Sequence, residues 1–334
     1  MHANGHLVDR AFARWQRGGG LFAQGWGDWE LHYRVGAAAT DVEAIDPLDV
    51  TFTSDRVVRG GLRLLEGVFT SPLGDEVPAR TRLGRFWWLR PSAAPGSAPE
   101  PVWVHMAGTG EGGPQRRLFI GRPLATRGTS SLILENPYYG LRAPVAQQGN
   151  DLRTVSDLLR MCRASVREAR ALLGWLGDRG HRYRGVSGYS MGGHIAALAA
   201  STYPQPVACA AMASGLSAVP IFCNDALSRS IRWDVLADGA PEVAKQRMAQ
   251  LVGISDLNRF GPPLCPQAAI VLGAQTDGYV RSEQVHALHQ HWPGSELRWM
   301  RGGHVTTYLR RKPLLDALTD AMNNLQRHHP EAAP

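Results

Sequence analysis

Short apolar segments alternate with longer amphipathic segments along most of the 334-residue chain. Short runs rich in aliphatic and aromatic residues predict strands, and apolar positions that recur at helical spacing predict helices. The predicted strands are residues 64–70, 84–90, 102–106, 130–134, 183–187, 208–213, 268–272 and 297–300, and the main helices are 155–175, 193–200 and 309–325. Strands that alternate with helices predict an α/β fold, a mostly parallel central sheet with helices on both faces.

Two stretches depart from this alternation. Residues 8–35 are helical in pattern and rich in aromatic residues, and we expect this lead to pack across the body of the protein rather than to touch a membrane. Residues 217–262 mix short apolar and polar segments, which predicts a small helical cap over the sheet edge. We therefore expect an N-terminal lead over residues 1–63 and one main domain over residues 64–334 that carries a cap-like insertion around 217–262.

The segment Gly188-Tyr189-Ser190-Met191-Gly192 joins a predicted strand to a predicted helix. In that context Gly-x-Ser-x-Gly indicates a nucleophile elbow, a turn so tight that the residues two before and two after the serine need to lack side chains. The competing interpretation is a phosphate-binding turn of a nucleotide-binding fold. That turn needs G-x-G-x-x-G and an acid about 20 residues later, and neither is present here. Ser190 is therefore the candidate nucleophile.

A serine hydroxyl needs a base to take its proton, and the base needs an acid to orient it. After an elbow of this kind the order along the chain is serine, acid, histidine. Asp277 and His304 each follow a predicted strand in that order, which makes them the candidate acid and base. Asp225 lies about a dozen residues beyond the preceding strand and Asp256 lies in the irregular insertion, so both are weaker candidates for the acid.

Acyl transfer also needs donors for the developing oxyanion. We expect the backbone N–H groups of Thr109 and Met191 to supply them, because Thr109 lies in the loop after strand 102–106 and Met191 begins the helix after Ser190. An ordinary glycine-rich turn is the alternative for the first loop. Candidate pocket residues lie beside Ser190 or at the carboxyl ends of strands, where such sheets bind ligands: Gly108, Gly110, Glu135, Asn136, Tyr138 and Tyr189. For the turn at 135–140, shaping the pocket, orienting the oxyanion loop and a structural role all stay open.

Several histidines lie outside this set. His286, His289 and His291 share one predicted helix without an Asp or Cys at ligand spacing, so a solvated helix face is favoured over a metal site. We expect His194 to be a packing or hydrogen-bonding residue of its helix and His105 to order the loop that follows its strand.

The charge, hydropathy and cysteine content of the chain limit the functions that it can have. The net charge is +7, but the arginines are scattered rather than gathered in a stripe or an arm, which argues against a nucleic-acid partner and allows at most peripheral membrane contact. No apolar run is long enough to span a bilayer, and the first 17 residues lack the apolar core of a secretory signal. The four cysteines show no zinc spacing, and Cys162 and Cys209 are expected as buried free thiols. We therefore expect a cytoplasmic protein.

The quoted motifs, and others that accompany them in order along nearly the whole chain, resemble the α/β-hydrolase domain-containing protein 18 family. The segments that carry the resemblance are 21–27, His105-Met106-Ala107-Gly108-Thr109-Gly110, Glu135-Asn136-Pro137-Tyr138-Tyr139-Gly140, 155–158, 188–194 and Gly302-Gly303-His304-Val305. The resemblance implies an α/β-hydrolase fold with a small cap, and it places the family's serine, aspartate and histidine at Ser190, Asp277 and His304. The family usually has an aromatic residue and a basic cluster after the Gly-Thr-Gly loop, where this chain keeps only Arg116 and Arg117.

These observations predict a serine hydrolase of carboxylic esters, with lipid acyl esters among the plausible substrates. The expected partner is a small-molecule or lipid ester, the chemistry requires no cofactor and no metal, and the oligomeric state is not predicted. The alternatives are a peptidase or a carbon–carbon hydrolase that uses the same three residues, and a non-catalytic hydrolase fold that serves in binding.

Overall fold

The structure, a computed structural model, describes residues 7–9, 20–37, 44–92 and 98–330. In these residues nine strands form one sheet in the order β1-β2-β3-β5-β4-β6-β7-β8-β9. The strands are β1 Val50–Val58, β2 Leu62–Thr70, β3 Leu83–Arg90, β4 Val102–Met106, β5 Ser130–Leu134, β6 Arg184–Tyr189, β7 Ala208–Met212, β8 Ala269–Ala274 and β9 Glu296–Met300. The pairs β1–β2, β2–β3 and β3–β5 are antiparallel and the other five pairs are parallel, so the prediction of a mostly parallel sheet is confirmed.

Helices cover both faces of this sheet. They are α1 Trp29–Ala37, α2 Ala79–Arg82, α3 Gln115–Ala125, α4 Val155–Asp178, α5 Met191–Ser201, α6 Val219–Cys223, α7 Trp233–Leu236, α8 Pro241–Val252, α9 Ser282–His291, α10 His304–Tyr308 and α11 Arg311–His328. Single 3-10 turns occur at Gly74–Glu76, Gly140–Arg142, Ala226–Ser230, Gly253–Ser255, Leu257–Arg259 and Pro266–Ala268. One core cluster joins α4, α5 and α9 to one face, and a second joins α3 and α11 to the other.

The central strands explain why the sequence pattern was informative. Every residue of β4 to β8 is buried. Parallel strands covered on both faces have near-continuous apolar sequences, and such runs are easily recognised. The helix predicted over 309–325 corresponds to α11, Arg311–His328, and a separate short helix that was not predicted, α10, precedes it from His304 to Tyr308.

Of the nine strands in this sheet, the edge strand β1 is the one that the pattern missed. None of its nine residues is buried, and its sequence includes Asp55 and Arg56, so neither alternation nor an apolar run marks it. It pairs with β2 along its whole length, and Phe52 packs against Phe86 and Trp88 of β3. The boundary that we expected at residue 63 was therefore misplaced, because it would separate β1 from the sheet to which it belongs.

The described part of the lead joins the cap to the main domain. Leu21 N donates to Ser230 O and Arg232 N donates to Leu21 O, so the lead pairs with the cap in a short ladder. On the other side Phe22 N donates to Leu152 O, just before α4. The helical pattern around Phe12 and Trp15 lies outside the described residues. The cap itself consists of α6, α7, α8 and three 3-10 turns between residues 219 and 259.

Candidate active site

The turn between β6 and α5 has the geometry of a nucleophile elbow. Ser190 has φ 59° and ψ −123°, a backbone conformation that a non-glycine residue rarely adopts. A side chain at Gly188 would overlap the main chain of Gly192, and one at Gly192 would place its Cβ 2.6 Å from Met106 O. Both glycines are thus required by the closeness of the turn and of β4, which is the physical reason for the Gly-x-Ser-x-Gly spacing.

Three side chains meet at this turn through a continuous chain of hydrogen bonds. His304 Nε2 lies 2.9 Å from Ser190 Oγ, and His304 Nδ1 lies 2.8 Å from Asp277 Oδ2. The other carboxylate oxygen of Asp277 accepts 2.8 Å hydrogen bonds from the N–H groups of Tyr279 and Val280. The carboxylate is therefore fixed in orientation, and a proton on Nδ1 leaves Nε2 free to accept the serine proton.

The surroundings of His304 favour its protonated form. Burial lowers the pKa of the imidazole, but the charge and hydrogen bond of Asp277 and the charge of Asp9 outweigh burial, so that the pKa is raised above its ordinary value. Asp277 is nearly inaccessible, with a side chain 2% exposed, so that its charge acts on the imidazole with little screening by solvent. This arrangement stabilises the imidazolium that forms when a serine gives up its proton.

The two weaker candidates for the acid lie elsewhere in the structure. Asp225 forms an ion pair with Arg281, at 2.6 Å from Nη2 and 2.8 Å from Nε. Asp256 lies near His194, and burial raises the pKa of its carboxyl group. The structure therefore brings Asp277, and neither of these, to the imidazole of His304.

The loop after β4 is held in place by a buried ion pair that the sequence analysis did not identify. Glu111 accepts a hydrogen bond from Gly108 N at 3.2 Å and from Arg117 Nε at 2.7 Å. Arg117 also donates to the carbonyl groups of His105 and Leu134, at the ends of β4 and β5. Instead of reaching toward a substrate, Arg117 anchors the loop that carries Thr109, and its Glu-x5-Arg spacing is too common to have signalled this role.

A second contact ties the same loop to the turn after β5. The side chain of Asn150 donates to Gly110 O at 2.8 Å and accepts from Gly140 N at 3.1 Å. Asn150 lies in a loop with no motif around it, so the sequence carried no signal for this contact. It links the turn at 135–140 to the loop after β4 that carries Thr109.

A large apolar cavity opens at Ser190. Its volume is about 530 Å³, and its lining residues include Thr109, Ser190 and Met191. From there it runs between two helices that both start at the carboxyl edge of the sheet. The lining residues recur at helical spacing on each: Leu158, Cys162, Val166 and Arg170 on α4, and Met191, Ile195 and Leu198 on α5 with Thr202 just beyond.

Residues of the cap and several charged residues also line this cavity. The cap contributes mainly Ile221, Phe222, Leu251 and Val252. The charged lining residues include Arg163, which pairs with Glu76 at 2.6 Å, and Arg167, which pairs with Asp46 at 2.5 Å. Along α5 the lining residues extend from Ser190 to Thr202, about 18 Å at a helical rise of 1.5 Å per residue.

The six residues expected around the pocket, all of them described, do not line this cavity. Among them Glu135 accepts a hydrogen bond from Leu141 N, and Asn136 is bonded to Pro137 O and Ser165 Oγ, so both stabilise the turn after β5. The remaining four are Gly108, Gly110, Tyr138 and Tyr189; Tyr138 is fully buried, and the Tyr189 hydroxyl donates to His304 O. The strand-end position placed them near the site but could not tell which way each side chain points.

The other histidines occupy structural positions. His105 spans three strands inside the sheet, bonded to Ser187 Oγ on β6 and Ser131 Oγ on β5, and burial lowers its pKa to about 3. The expectation that its side chain orders the following loop was wrong. His194 lines the cavity and bonds to Ser255 O of the cap at 3.0 Å.

The three histidines that share one predicted helix all lie on α9. His289 contacts Ser295 Oγ and His291 contacts Phe260 O. His286 packs its ring against Trp299. In the part of the chain that the structure describes, no three His, Cys, Asp or Glu side chains are grouped as metal ligands would be. Nor does any helix in that part combine the length and apolarity needed to cross a bilayer.

The cysteines show one departure from expectation. Cys209 is buried, as predicted, whereas Cys162 is only partly buried because it lines the cavity. The apolar surroundings raise the pKa of both thiols to about 12, so neither is a ready nucleophile.

Comparison with solved structures shows the same fold. An acetyl xylan esterase from Thermoanaerobacterium sp. JW/SL YS485 is 14% identical with a TM-score of 0.55, and one from Paenibacillus sp. R4 is 14% identical with a TM-score of 0.54; each match covers 91% of this chain and 98% of the other. A 2,6-dihydroxy-pseudo-oxynicotine hydrolase is 17% identical with a TM-score of 0.52, over 90% of this chain and 72% of the other. At these identities the likeness concerns the fold alone.

A family model matches the sequence itself. The model of alpha/beta hydrolase domain containing 18 matches residues 19–252 and 238–324, which include the elbow, the loop after β4 and the strand-end positions of Asp277 and His304. This confirms the resemblance inferred from the motifs. The chain is thus a member of the alpha/beta hydrolase domain containing 18 family and has the α/β-hydrolase fold.

Proposed function

We propose that the protein is a serine hydrolase of carboxylic esters. The observation that carries the proposal is the hydrogen-bonded series from Asp277 through His304 to Ser190, which ends at an apolar cavity. An activated hydroxyl that faces an apolar space suits a substrate with a reactive carbonyl and an apolar acyl group.

The reaction follows from this geometry in two halves. Ser190 Oγ attacks the acyl carbon while its proton passes to His304 Nε2, and the tetrahedral intermediate then expels the alcohol, which takes that proton. Water next attacks the acyl-enzyme, His304 again accepts and returns a proton, and the acid and free Ser190 are released. Asp277 holds the Nδ1–H and stabilises the imidazolium in both halves.

Oxyanion stabilisation is assigned to the N–H groups of Thr109 and Met191. Met191 is the first residue of α5, so its N–H has no acceptor within that helix and lies at the positive end of the helix dipole. Thr109 and Met191 line the same cavity as Ser190. Each donor is expected to contribute about 3 kcal/mol to transition-state stabilisation.

The cavity favours an extended acyl group. Two structural neighbours are named as acetyl xylan esterases, but an acetyl group would fill little of a cavity of about 530 Å³. Each methylene that enters apolar surroundings is worth about 0.8 kcal/mol, or roughly fourfold in rate when the gain is fully expressed in the transition state. We therefore infer that long-chain acyl esters, lipid esters among them, are the preferred substrates.

Labelling with a fluorophosphonate probe tests the nucleophile. The wild-type protein should be labelled covalently, Ser190→Ala should not, and Ser92→Ala, at the opposite end of the sheet, should be labelled as the wild type is. A folded wild-type protein that takes no label would overturn the hydrolase proposal and favour a binding role.

A series of p-nitrophenyl esters from acetyl to palmitoyl tests the reaction and the acyl group. Turnover should rise with the length of the acyl chain until the apolar cavity is filled. Labelling without turnover of any ester would instead favour the peptidase or the carbon–carbon hydrolase, which amide and β-diketone substrates would then separate.

A further inference from the structure

A buried carboxylate lies directly behind the candidate base. Asp9 is 1% exposed, although Leu7 and Val8, its neighbours in the chain, are exposed. Its Oδ2 accepts a hydrogen bond from His304 N at 2.7 Å and one from Gly278 N at 3.0 Å, and its Oδ1 accepts one from Val305 N at 2.9 Å. All three donors are main-chain groups, so the contact depends on backbone positions.

These donors belong to the two loops that carry the acid and the base. Gly278 directly follows Asp277, and His304 is itself the base. The same carboxylate oxygen bonds to both loops, so Asp9 sets the position of one relative to the other. That relative position determines the 2.8 Å contact between Asp277 and the imidazole, and displacements of about 1 Å at such contacts can cost 100-fold in rate.

The charge of Asp9 acts on the same imidazole. The groups that face His304 are Asp277, Asp9 and the rings of Tyr189 and Tyr279, at centroid distances of 5.4 and 5.0 Å. Burial raises the pKa of both tyrosine hydroxyls, which stay neutral. Among the described residues, the two aspartates are therefore the negative charges beside the imidazole, and both favour its protonated form.

We propose that Asp9 is a positioning residue of this site, which holds the acid loop and the base loop in register and adds to the charge that stabilises the imidazolium. It contacts neither the substrate nor the reacting atoms in this role. The inference rests on the proposed function for its effect on turnover, but its effect on His304 does not depend on hydrolysis. Asp9 and His304 lie 295 positions apart, so no motif could have joined them.

The pH dependence of kcat/KM in Asp9→Asn tests the proposal. The asparagine side chain has the same size as that of aspartate but carries no charge. Its NH2 group would also face backbone N–H donors, where the carboxylate oxygen accepts hydrogen bonds. Measured per labelled active site, kcat/KM should fall on the order of 10- to 100-fold. The midpoint of the acidic limb should move to lower pH, because one of the two negative charges beside the imidazole is gone. Asp9→Glu, which keeps the charge but displaces it, should lower kcat and leave the midpoint near that of the wild type.

Glu100→Gln is the matched control. Glu100 is a partly buried carboxylate that binds Arg90 through two hydrogen bonds, just ahead of β4 and at the opposite edge of the sheet from Ser190. Glu100→Gln should lower the melting temperature of the protein without shifting the acidic limb of the kcat/KM profile. If Asp9→Asn behaves in the same way, with only the melting temperature lowered, Asp9 is a structural residue and the proposal is overturned.

A spectroscopic measurement separates this inference from the proposed function. The pKa of the His304 imidazole can be followed by NMR in Ser190→Ala and in Ser190→Ala combined with Asp9→Asn, neither of which needs to hydrolyse anything. The double variant should titrate at lower pH. An unshifted imidazole would overturn the role of Asp9 even in an active hydrolase, and a shifted one would support it even if the wild-type protein took no fluorophosphonate.

Discussion

At the scale of single residues, the geometry distinguishes between three candidate aspartates for the acid that orients His304. Asp277 contacts the imidazole at 2.8 Å, whereas Asp225 is engaged by Arg281. Asp277→Asn should lower kcat by about 10⁴-fold, because an amide at this position holds the imidazole in the wrong tautomer. Asp225→Asn, which breaks only an ion pair, should stay within a few-fold of the wild type in the same steady-state assay. Equal losses in the two variants would contradict the assignment of the acid.

The raised pKa of His304 gives a pH profile with a defined sign. The base acts only when neutral, so kcat/KM should fall as the pH drops through the pKa of the free enzyme. Asp277 and Asp9 outweigh burial and hold this pKa above the ordinary histidine value of about 6.5, so the midpoint should lie above that pH. Profiles of the wild type and Asp225→Asn should coincide. A midpoint clearly below 6.5 would show that burial dominates instead.

The same surroundings affect folding stability in the opposite direction. Because the folded-state pKa of His304 is raised, its contribution to stability is fully present below the unfolded value of about 6.5 and is lost as the pH rises through the folded-state pKa. The site is thus most stable where the base is protonated and inactive.

Order along the chain was enough to predict Ser190, Asp277 and His304 as candidates, because each follows a strand and parallel strands share a carboxyl edge. The residues that hold these side chains and the neighbouring loops in place could not be predicted from the sequence. Asp9 and Asn150 act through main-chain contacts across long sequence separations, and neither belongs to a recognisable spacing. Supporting contacts of this kind leave no local pattern, so only the folded chain reveals them.

At the scale of elements, the elbow depends on how closely α5 approaches β4. A Cβ at Gly192 would lie 2.6 Å from Met106 O and 2.8 Å from Ala107 O, both backbone atoms that cannot move independently. Gly192→Ala should therefore shift Ser190, abolish fluorophosphonate labelling and lower the melting temperature. Gly261→Ala is the matched control, since nothing lies within 4 Å of the added atom, and should leave both unchanged or raise stability slightly. Full labelling of Gly192→Ala would refute this account of the motif.

The cavity between α4 and α5 makes a separate prediction about chain length. Leu198 is the lining residue of α5 that lies furthest from Ser190. Leu198→Trp should obstruct the distal part of the cavity, so kcat/KM for palmitoyl esters should fall at least tenfold while acetyl and butyryl esters keep their rates. Overpacking costs roughly 1–3 kcal/mol of stability, so assays belong well below the melting temperature. A uniform loss across all chain lengths would indicate that the acyl group lies elsewhere.

The elements themselves were predicted to different degrees. The buried strands β4 to β8 were found within two residues, because both of their faces are covered. The edge strand β1 was missed because solvent on its outer side removes the need for apolar residues, and its stability comes from pairing with β2. The cavity was unpredictable for a related reason: helix residues that line a cavity and helix residues that pack in a core have the same apolar spacing.

At the scale of the whole molecule, one buried ion pair joins segments from distant parts of the chain. Arg142 and Glu168 lie 2.6 Å apart with side chains 1% and 0% exposed. The guanidinium also bonds to Thr81 O and Glu135 O, and the carboxylate accepts from Ser71 Oγ. The pair thus joins the end of β2, α2, the turn after β5 and α4, all at the edge of the sheet where Ser190 lies.

Such a pair is costly to break from one side. Glu168→Gln removes the charge that compensates the buried guanidinium, and breaking a buried pair in this way costs about 3–5 kcal/mol. The free energy of unfolding in urea should fall by that amount. Asp316→Asn, which removes the partner of the 85% exposed Lys312, should change it by less than about 1 kcal/mol. Because Glu168 neither contacts Ser190 nor lines the cavity, the folded fraction of Glu168→Gln should keep its kcat, and a lower kcat at full folding would instead tie this network to the chemistry.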